Sequence, residues 1–304
     1  MDKIFSSAIR SLKESYNIQR RLFEEGVIGK LVFLKGGVDK TTKGDWESEE
    51  SIINFLRQSR IPLRIISEEH GNIDLEPNPE YLAVLDGIDG SSALVKNPST
   101  RCGSMLTISS KLHPKYNDFV FAGITEYATN RIVYGIKGEG VFEIKFDNGK
   151  ETRKKISNFK EKPFSGKTVI GVDCYRESAE KDYALGITEG MSRFEKFMEE
   201  SVARPLKGKG RIYGRASSSA LCLDLIDGDT DAVAQIVAKG VFEPPAMYLL
   251  TKELGGYGAD LHGSDLGNKK WKAMIFNDEK IEIEGAIFAS SKQIGKSITD
   301  ILKR

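Results

Sequence analysis

The stretch that decides the fold is residues 81–92, which read Tyr-Leu-Ala-Val-Leu-Asp-Gly-Ile-Asp-Gly-Ser-Ser. Its first five residues are apolar or aromatic, and such a run predicts a buried strand. Asp86 and Asp89 follow directly, with Gly87 between them. Because glycine lets the main chain bend sharply in a turn that leaves a strand, both carboxylates and the carbonyl of Ile88 are predicted to face one hard cation.

The end of the same stretch predicts a second functional element. Gly90, Ser91 and Ser92 are predicted to open a helix whose exposed amide groups would meet an anion. The two hydroxyl groups can cap this helix or orient a water molecule. Taken alone, the motif is also compatible with a plain Asp-Gly turn, so its interpretation depends on the neighbouring segments.

A second acidic motif, Glu68 and Glu69, follows the apolar run at residues 63–66, which predicts a short strand. An acidic pair by itself is typical of a solvated surface. Because strand ends of one sheet lie together, however, we expect this pair to lie near Asp86 and Asp89. Carboxylates that are close together repel each other, so such a cluster implies bound cations or raised pKa values.

A third motif lies far along the chain, where residues 241–256 read Val-Phe-Glu-Pro-Pro-Ala-Met-Tyr-Leu-Leu-Thr-Lys-Glu-Leu-Gly-Gly. Glu243 stands just ahead of a helix predicted at residues 245–254. Proline is favoured at a helix start, and glycine is favoured directly after a helix end. An acid in this position can also be a simple partner of the helix dipole.

The rest of the chain predicts alternating helices and strands. Further helices are predicted at residues 1–26, from Asp45 onward, over most of 179–200, at 217–226 and at the carboxyl end. Further strands are predicted at residues 31–34, 105–109, 119–125, 131–136, 140–144, 168–172, 232–236 and 281–289. The four strands between 105 and 144 favour an antiparallel sheet. The charged stretch 145–162 is the predicted boundary between an amino-terminal subdomain, 1–162, and a carboxy-terminal subdomain, 163–304.

Composition argues against several classes of function. The 45 basic and 44 acidic residues nearly balance, so the chain has no general field for binding nucleic acid. Charges interrupt the amphipathic first helix throughout, which predicts neither a signal peptide nor a membrane span. The three cysteines form no CxxC pair, which argues against a disulfide framework or a thiolate zinc site and favours a reducing, cytoplasmic location.

Four motifs in this order resemble the inositol monophosphatase and fructose-1,6-bisphosphatase superfamily. They are Asp-x-x-Thr-x-x-Asp at residues 39–45, Glu68 with Glu69, Asp-x-Ile-Asp-Gly-Ser-Ser at residues 86–92, and Glu243 with the later Gly-Gly. The resemblance extends from Asp39 to Asp260 and is dense only at these motifs. It implies an α/β fold of the layered sugar-phosphatase type, an αβαβα sandwich with two packed subdomains.

The resemblance also implies a role for each matching residue. Two or three magnesium ions would be held by Glu68, Asp86, the carbonyl of Ile88, Asp89 and Glu243. The catalytic residues would be Asp45, Glu69 and Ser91, of which Asp45 and Ser91 would orient the attacking water. The phosphate would be bound by Gly90, Ser91 and Ser92.

The sequence departs from the family pattern in places that affect metal affinity and substrate choice. Gly87 replaces a usual proline and Ala93 replaces a common asparagine, so a looser loop and weaker metal binding are expected. Glu243 followed by Pro-x-Met resembles the bisphosphatase branch. The family pattern places an acid that binds inositol hydroxyl groups near position 235, where this chain has Gln235. This difference argues against strict specificity for inositol phosphates.

Arg215 and Lys239 fall where groups that face the substrate would lie, and such groups would attract a second phosphate. Exposed basic residues are usually plain surface, so both interpretations stay open. The resemblance implies a magnesium-dependent phosphomonoesterase acting on a small-molecule phosphate ester, with fructose-1,6-bisphosphate and inositol-1-phosphate as the leading substrates. It further implies a homodimer, with neither nucleic acid nor membrane as a partner. The alternative is a non-catalytic phosphate-ligand binding or regulatory protein on the same fold.

Overall fold

The structure is a computed structural model that describes residues 1–35, 39–96, 100–147, 149–173, 193–215, 217–236, 242–271 and 284–303. Its α-helices are α1 Asp2–Glu24, α2 Lys43–Gln58, α3 Ser91–Lys96, α4 Arg193–Met198, α5 Arg204–Leu206, α6 Ser218–Asp227, α7 Glu243–Glu253 and α8 Lys292–Leu302. Its strands are β1 Leu31–Lys35, β2 Asp39–Thr42, β3 Leu63–Ser67, β4 Gly71–Asp74, β5 Tyr81–Asp89, β6 Gly103–Ser109, β7 Phe119–Glu126, β8 Arg131–Ile136, β9 Gly140–Asp147, β10 Lys150–Lys155, β11 Val169–Asp173, β12 Arg211–Arg215, β13 Ala232–Ile236, β14 Tyr257–Asp260 and β15 Gly285–Ala289.

The first large sheet has the strand order β10-β9-β8-β7-β6-β5-β3-β4. All neighbours in it are antiparallel except β3 and β5, which run parallel. The antiparallel sheet expected between residues 105 and 144 is therefore confirmed. Part of the charged stretch 145–162 is a strand that the sequence did not predict, because Lys150–Lys155 forms β10 against β9. The side chains of β10 are exposed on both faces. Its sequence therefore lacks the alternation of apolar and polar residues that predicts a strand.

The second sheet has the order β12-β11-β13-β15-β14. Its strands β11, β12 and β13 are parallel, whereas β15 is antiparallel to β13 and to β14. The first sheet uses only strands up to Lys155 and the second only strands from Val169 onward. Residues 174–192 are not among the residues that the structure describes. Most of the helix predicted at 179–200 therefore lies outside the described residues.

Helices separate and cover the two sheets. Apolar side chains of α1 and α2, such as Leu12 and Ile52, pack on one face of the first sheet. The other face packs on α6 and α7, through Leu221 and Leu250, and this layer also contacts the second sheet. The outer face of the second sheet is covered by α8 and by the helical segment around Val202. The order helix, sheet, helix, sheet, helix confirms the predicted αβαβα fold.

Helix α2 begins as its sequence requires. Thr42 is its N-cap residue, and the Thr42 side chain accepts a hydrogen bond from the Asp45 amide while the Asp45 carboxylate accepts one from the Thr42 amide. This reciprocal arrangement is a capping box, and it fixes the first turn of the helix. Within the part of the chain that the structure describes, no helix is both long and apolar enough to span a membrane.

Candidate active site

The strand β5 continues through both aspartates rather than ending before them. Asp86 pairs with Met105 of β6 and Asp89 pairs with Gly103, so three steps on β5 match two steps on its partner. Such a bulge reverses the usual alternation of side chains. In a regular strand, residues three apart point to opposite faces; here the bulge brings both carboxylates to one side. The expected turn was therefore wrong, because the strand continues through both residues, whereas the expectation that the two carboxylates lie close together is confirmed.

Strand β3 brings the Glu68 motif beside Asp86. Ser67 pairs with Leu85 in the parallel ladder, and the Glu68 amide donates to the Leu85 carbonyl at 3.1 Å. The residue after β3 therefore lies next to the residue after Leu85. This juxtaposition is the one expected from the rule that strand ends of one sheet lie together.

Two helices of the layer between the sheets complete the site. Glu243 occupies the first turn of α7, which begins at this residue and not at Pro245 as predicted. At the start of α6, the Ser217 hydroxyl donates to Asp89 Oδ2 at 2.8 Å, and the Ser219 amide donates to the same oxygen at 2.5 Å. Helix amino termini favour negative charge nearby, so both helices stabilise the acidic cluster.

The centre of the site is a trio of carboxylates. One ligand oxygen from each of Asp86, Asp89 and Glu243 lies within 4.8 Å of the other two. Asp86 and Asp89 are buried, and among the described residues neither is within ion-pair distance of a lysine or arginine. A buried cluster of this kind needs protons or cations to offset the repulsion. Oxygen donors in this number suit magnesium, so the donor set fits that ion.

The pKa values of the two aspartates reflect this setting. Burial is the largest cause that raises the pKa of Asp86 well above its ordinary value, and the charges of Glu68, Asp89 and Glu243 raise it further. Burial also raises the pKa of Asp89, while the hydrogen bonds from Ser219 and Ser217 lower it. Glu68 lies outside the mutually close trio. Among the neighbouring charges, however, that of Glu68 raises the pKa of Asp86 the most.

Asp45 lies at the edge of this cluster. The Thr42 amide and hydroxyl both donate to its Oδ2, at 2.8 and 2.6 Å. Burial raises the pKa of Asp45 to about 7, the charge of Glu69 raises it as well, and hydrogen bonds from Thr42 and Ser91 lower it. The structure therefore brings together the three residues predicted to be catalytic.

Sequence reasoning missed Glu49 of α2, whose carboxylate binds the main chain of the acidic motifs. Its carboxylate is fully buried and accepts hydrogen bonds from the amides of Glu68, Glu69 and Gly87, at 3.2, 3.0 and 3.1 Å. A signal was present in the sequence: Glu49 follows Asp45 by one helical turn and lies on the face of α2 that also carries Ile52 and Ile53. An acid on the buried face of a helix needs hydrogen-bond donors around it.

The loop expected to be loose at Gly87 is firmly held. The Gly87 amide donates to Glu49 Oε1, and its carbonyl accepts from Gln19 Nε2 at 3.3 Å and from the Ser104 hydroxyl. Both polar groups of the residue are satisfied by buried side chains of other elements. The absence of proline leaves an amide hydrogen that Glu49 can bind, and weaker metal binding stays a prediction.

The residues predicted to bind the phosphate lie where α3 begins. Gly90 has a φ of 90°, and a Cβ at this position would approach the Ser217 side chain to 2.8 Å, so only glycine fits. Ser91 and Ser92 form the first turn of α3. Ile88 is buried in the bulge between the two aspartates. Lys239 lies outside the described residues.

A polar row crosses the carboxyl ends of the three parallel strands of the second sheet. Asp173 pairs with Arg215 on one side, and the register of β11 with β13 brings Gln235 to the other side. The Arg215 Nε lies 3.1 Å from Asp224 Oδ2 of α6. Gln235 is fully buried, and neither of its side-chain polar atoms has a hydrogen-bond partner among the described residues. Carboxyl ends of parallel strands are a common place for ligands.

No protein-family model and no curated protein matches the chain. Solved structures do match it over nearly the whole length. They include the extragenic suppressor protein suhB of Bartonella henselae, with 17% identity and a TM-score of 0.70 over 99% of this chain and 98% of that one. An IMPase (inositol monophosphatase) of Thermotoga maritima matches with 17% identity and a TM-score of 0.66, over 100% and 97% of the two chains.

A third similar structure is the fructose-1,6-bisphosphatase of Leishmania major in its holo form. It has 16% identity and a TM-score of 0.68, over 99% of this chain and 93% of that chain. The chain thus shares the fold of these three proteins, and the resemblance carried by the sequence motifs is confirmed at the level of the fold.

Proposed function

We propose that the chain is a magnesium-dependent phosphomonoesterase that hydrolyses a small sugar or polyol phosphate. The observation that carries this proposal is the trio of the buried Asp86 and Asp89 with the half-buried Glu243, whose oxygens lie within 4.8 Å of one another. The structural similarity to phosphatases supports it. Glu68, the trio and the Ile88 carbonyl would hold the ions. Bound magnesium would neutralise the phosphate ester and lower the pKa of a water molecule.

Asp45 orients and deprotonates the attacking water in this proposal. Both bonds from Thr42 fall on Oδ2, so Oδ1 receives neither of them. In the protein without metal, burial raises the pKa of Asp45 to about 7, near the range that suits a general base. Ser91 hydrogen-bonds to the same carboxylate and would share this positioning. The Glu69 carboxylate accepts a hydrogen bond from Thr41 Oγ1 at 2.5 Å. Its negative charge would lie close to the water molecule that Asp45 orients.

The phosphate would lie at the start of α3, against the amides of Gly90 and Ser91, and Ser92 would also take part in binding it. The rest of the substrate would face the polar row of Asp173, Arg215 and Gln235. A fully buried amide without partners costs free energy until a ligand satisfies it, so hydroxyl groups of a sugar or polyol are suitable occupants beside Gln235. Fructose-1,6-bisphosphate and inositol-1-phosphate are the substrates to test first, and Arg215 and Lys239 would favour a second phosphate.

The test is release of inorganic phosphate, with magnesium and with excess chelator. The panel contains fructose-1,6-bisphosphate, inositol-1-phosphate, glycerol-2-phosphate and 3'-phosphoadenosine 5'-phosphate. We expect chelator-sensitive turnover of one of the first two compounds, and its loss in Asp89→Asn. Asp260→Asn is the control, because Asp260 is also a buried aspartate that accepts main-chain hydrogen bonds, from His262 and Ser264, on the edge strand β14.

The alternative, a non-catalytic phosphate-binding or regulatory protein, predicts a different result with the same reagents. Calorimetry would then record magnesium-dependent binding of the sugar phosphate without release of phosphate. Near wild-type turnover by Asp89→Asn would contradict the assigned site. We further propose a homodimer located in the cytoplasm, which size-exclusion chromatography with light scattering and cell fractionation would test.

A further inference from the structure

Glu49 lies at the point where three elements of the site meet. It projects from α2 and touches the main chain after β3 and the bulge of β5. Its carboxylate has no exposed surface. A buried carboxylate is stable only when its oxygens accept several hydrogen bonds, and here the donors come from the loops that carry the acidic ligands.

The two oxygens divide these donors between them. Oε1 accepts from the amides of Glu68 and Gly87, and so joins the end of β3 to the bulge of β5. Oε2 accepts from the Glu69 amide and from the Ser67 hydroxyl, and lies 3.0 Å from His70 Nδ1. Each oxygen therefore fixes a different part of the acidic motif, and Oε1 alone bridges the two ligand-bearing strands.

His70 lies beside this carboxylate and packs against Trp46. The His70 ring centroid lies 3.9 Å from that of Trp46 on α2, and the His70 amide donates to Ser67 Oγ at 3.0 Å. His70 is mostly buried, with 15% of its side chain exposed, and orders the loop after β3. Glu49 is thus held by donors from the end of β3 and from the bulge of β5, and by His70 beside it.

We propose that Glu49 is a positioning residue that sets the distance between Glu68, directly after β3, and the Asp86–Asp89 pair on β5 before magnesium binds. The proposal rests on the proposed function, since it concerns the same metal site. It depends on a feature of this chain: the Gly87 amide can donate to Glu49 only because the residue at this position is not proline. Holding repelling carboxylates at the ligand spacing in advance raises metal affinity, as partners behind metal ligands generally do.

The experiment is calorimetric titration of magnesium into the metal-free full-length protein. Glu49→Gln keeps the size of the side chain but places an NH₂ group opposite main-chain donors, so we expect the Kd for magnesium to rise about 10- to 100-fold. Turnover at saturating magnesium should recover most of the wild-type kcat. A purely structural role would lower the melting temperature without this change in Kd.

Three variants make the outcome specific. Asp260→Asn removes a buried aspartate that holds another loop, and we expect it to lower stability with an unchanged Kd. Glu50→Gln is the same substitution at the adjacent, exposed position and should change neither quantity. Ser67→Ala keeps the charge of Glu49 but removes one of its donors, and it should weaken magnesium binding by several-fold.

The results separate the two proposals. An unchanged Kd in Glu49→Gln would overturn the positioning role while leaving the proposed function intact. If Glu49→Gln does not fold, an unchanged Kd in Ser67→Ala overturns it instead. A wild-type protein that binds no magnesium would overturn the inference together with the proposed function.

Discussion

The α-carbon of Gly87 lies directly against the main-chain carbonyl oxygen of Asp45, so closely that a Cβ atom on residue 87 would overlap that oxygen. The first turn of α2 is thus seated on the bulge of β5. This contact places the candidate water-orienting carboxylate beside the candidate metal ligands. It also explains why the position takes glycine, the residue with no side chain to obstruct the approach.

We expect Gly87→Ala to destabilise the fold by about 1–3 kcal/mol, because the added methyl group must push α2 away from β5. Urea unfolding would measure the loss. Gly166→Ala is the matched control, since a Cβ at that exposed position would meet no atom within 4 Å, and it should be neutral or slightly stabilising. Equal free energies of unfolding for the two variants would show that α2 moves away from β5 without loss of stability.

In the absence of metal, we expect the stability of the protein to fall as pH rises from about 4 to about 7. Burial raises the pKa of Asp45 to about 7 and also raises that of Asp86 and of Asp89. The folded state then binds more protons than the unfolded state across this window, so the free energy of unfolding decreases with pH. The stabilisation is complete below the ordinary carboxyl pKa and is lost as pH passes the raised values.

Calorimetric melting temperatures at pH 5 and pH 8, in chelator, would measure this loss. Asp45→Asn should show a smaller decrease than wild type, whereas Asp147→Asn, at an exposed position, should match wild type. Magnesium should stabilise the protein more at pH 8 than at pH 5, because its ligands must be deprotonated. A melting temperature that depends on pH equally in wild type and Asp45→Asn would contradict the role given to Asp45.

We expect Arg101→Met to destabilise the protein by about 3 kcal/mol. The largely buried Arg101 pairs with Glu126 and with Asp224, at 2.6 Å each, and so joins the first sheet to α6. Removing it leaves buried carboxylates with fewer partners. Lys111→Met removes an exposed pair with Asp118 and should cost less than about 1 kcal/mol. Equal unfolding midpoints for the two variants would show that Arg101 does not stabilise the contact between the first sheet and α6.

We expect Arg215→Met to raise KM for a sugar phosphate about 10- to 100-fold with little change in kcat, because a charged hydrogen bond to the substrate would be lost. Steady-state kinetics would measure both constants. Arg64→Met, which removes an exposed pair with Asp74 at the edge of the first sheet, is the control. If Arg215→Met instead lowers only stability, the residue serves solely as a partner of Asp224.

Much of the fold followed from local patterns. Apolar runs gave the strands at Arg131–Ile136 and Ala232–Ile236 with their observed bounds, because buried strands carry a continuous apolar signal. The strands at Asp39–Thr42 and Lys150–Lys155 were missed. Both are short or polar, and they exist because a neighbouring strand supplies their hydrogen bonds. Pairing of this kind leaves no periodic trace in the sequence.

The sequence by itself determined which acidic residues follow which strands and in what order, since these are properties of neighbouring positions along the chain. Only the tertiary structure decided how they meet. The bulge that turns Asp86 and Asp89 to one side, the arrival of Glu243 on α7 and the burial of Glu49 all depend on register and packing between distant segments. Such contacts are set by the shapes of whole layers, and the free energy of burying each carboxylate depends on donors that come from elsewhere in the fold.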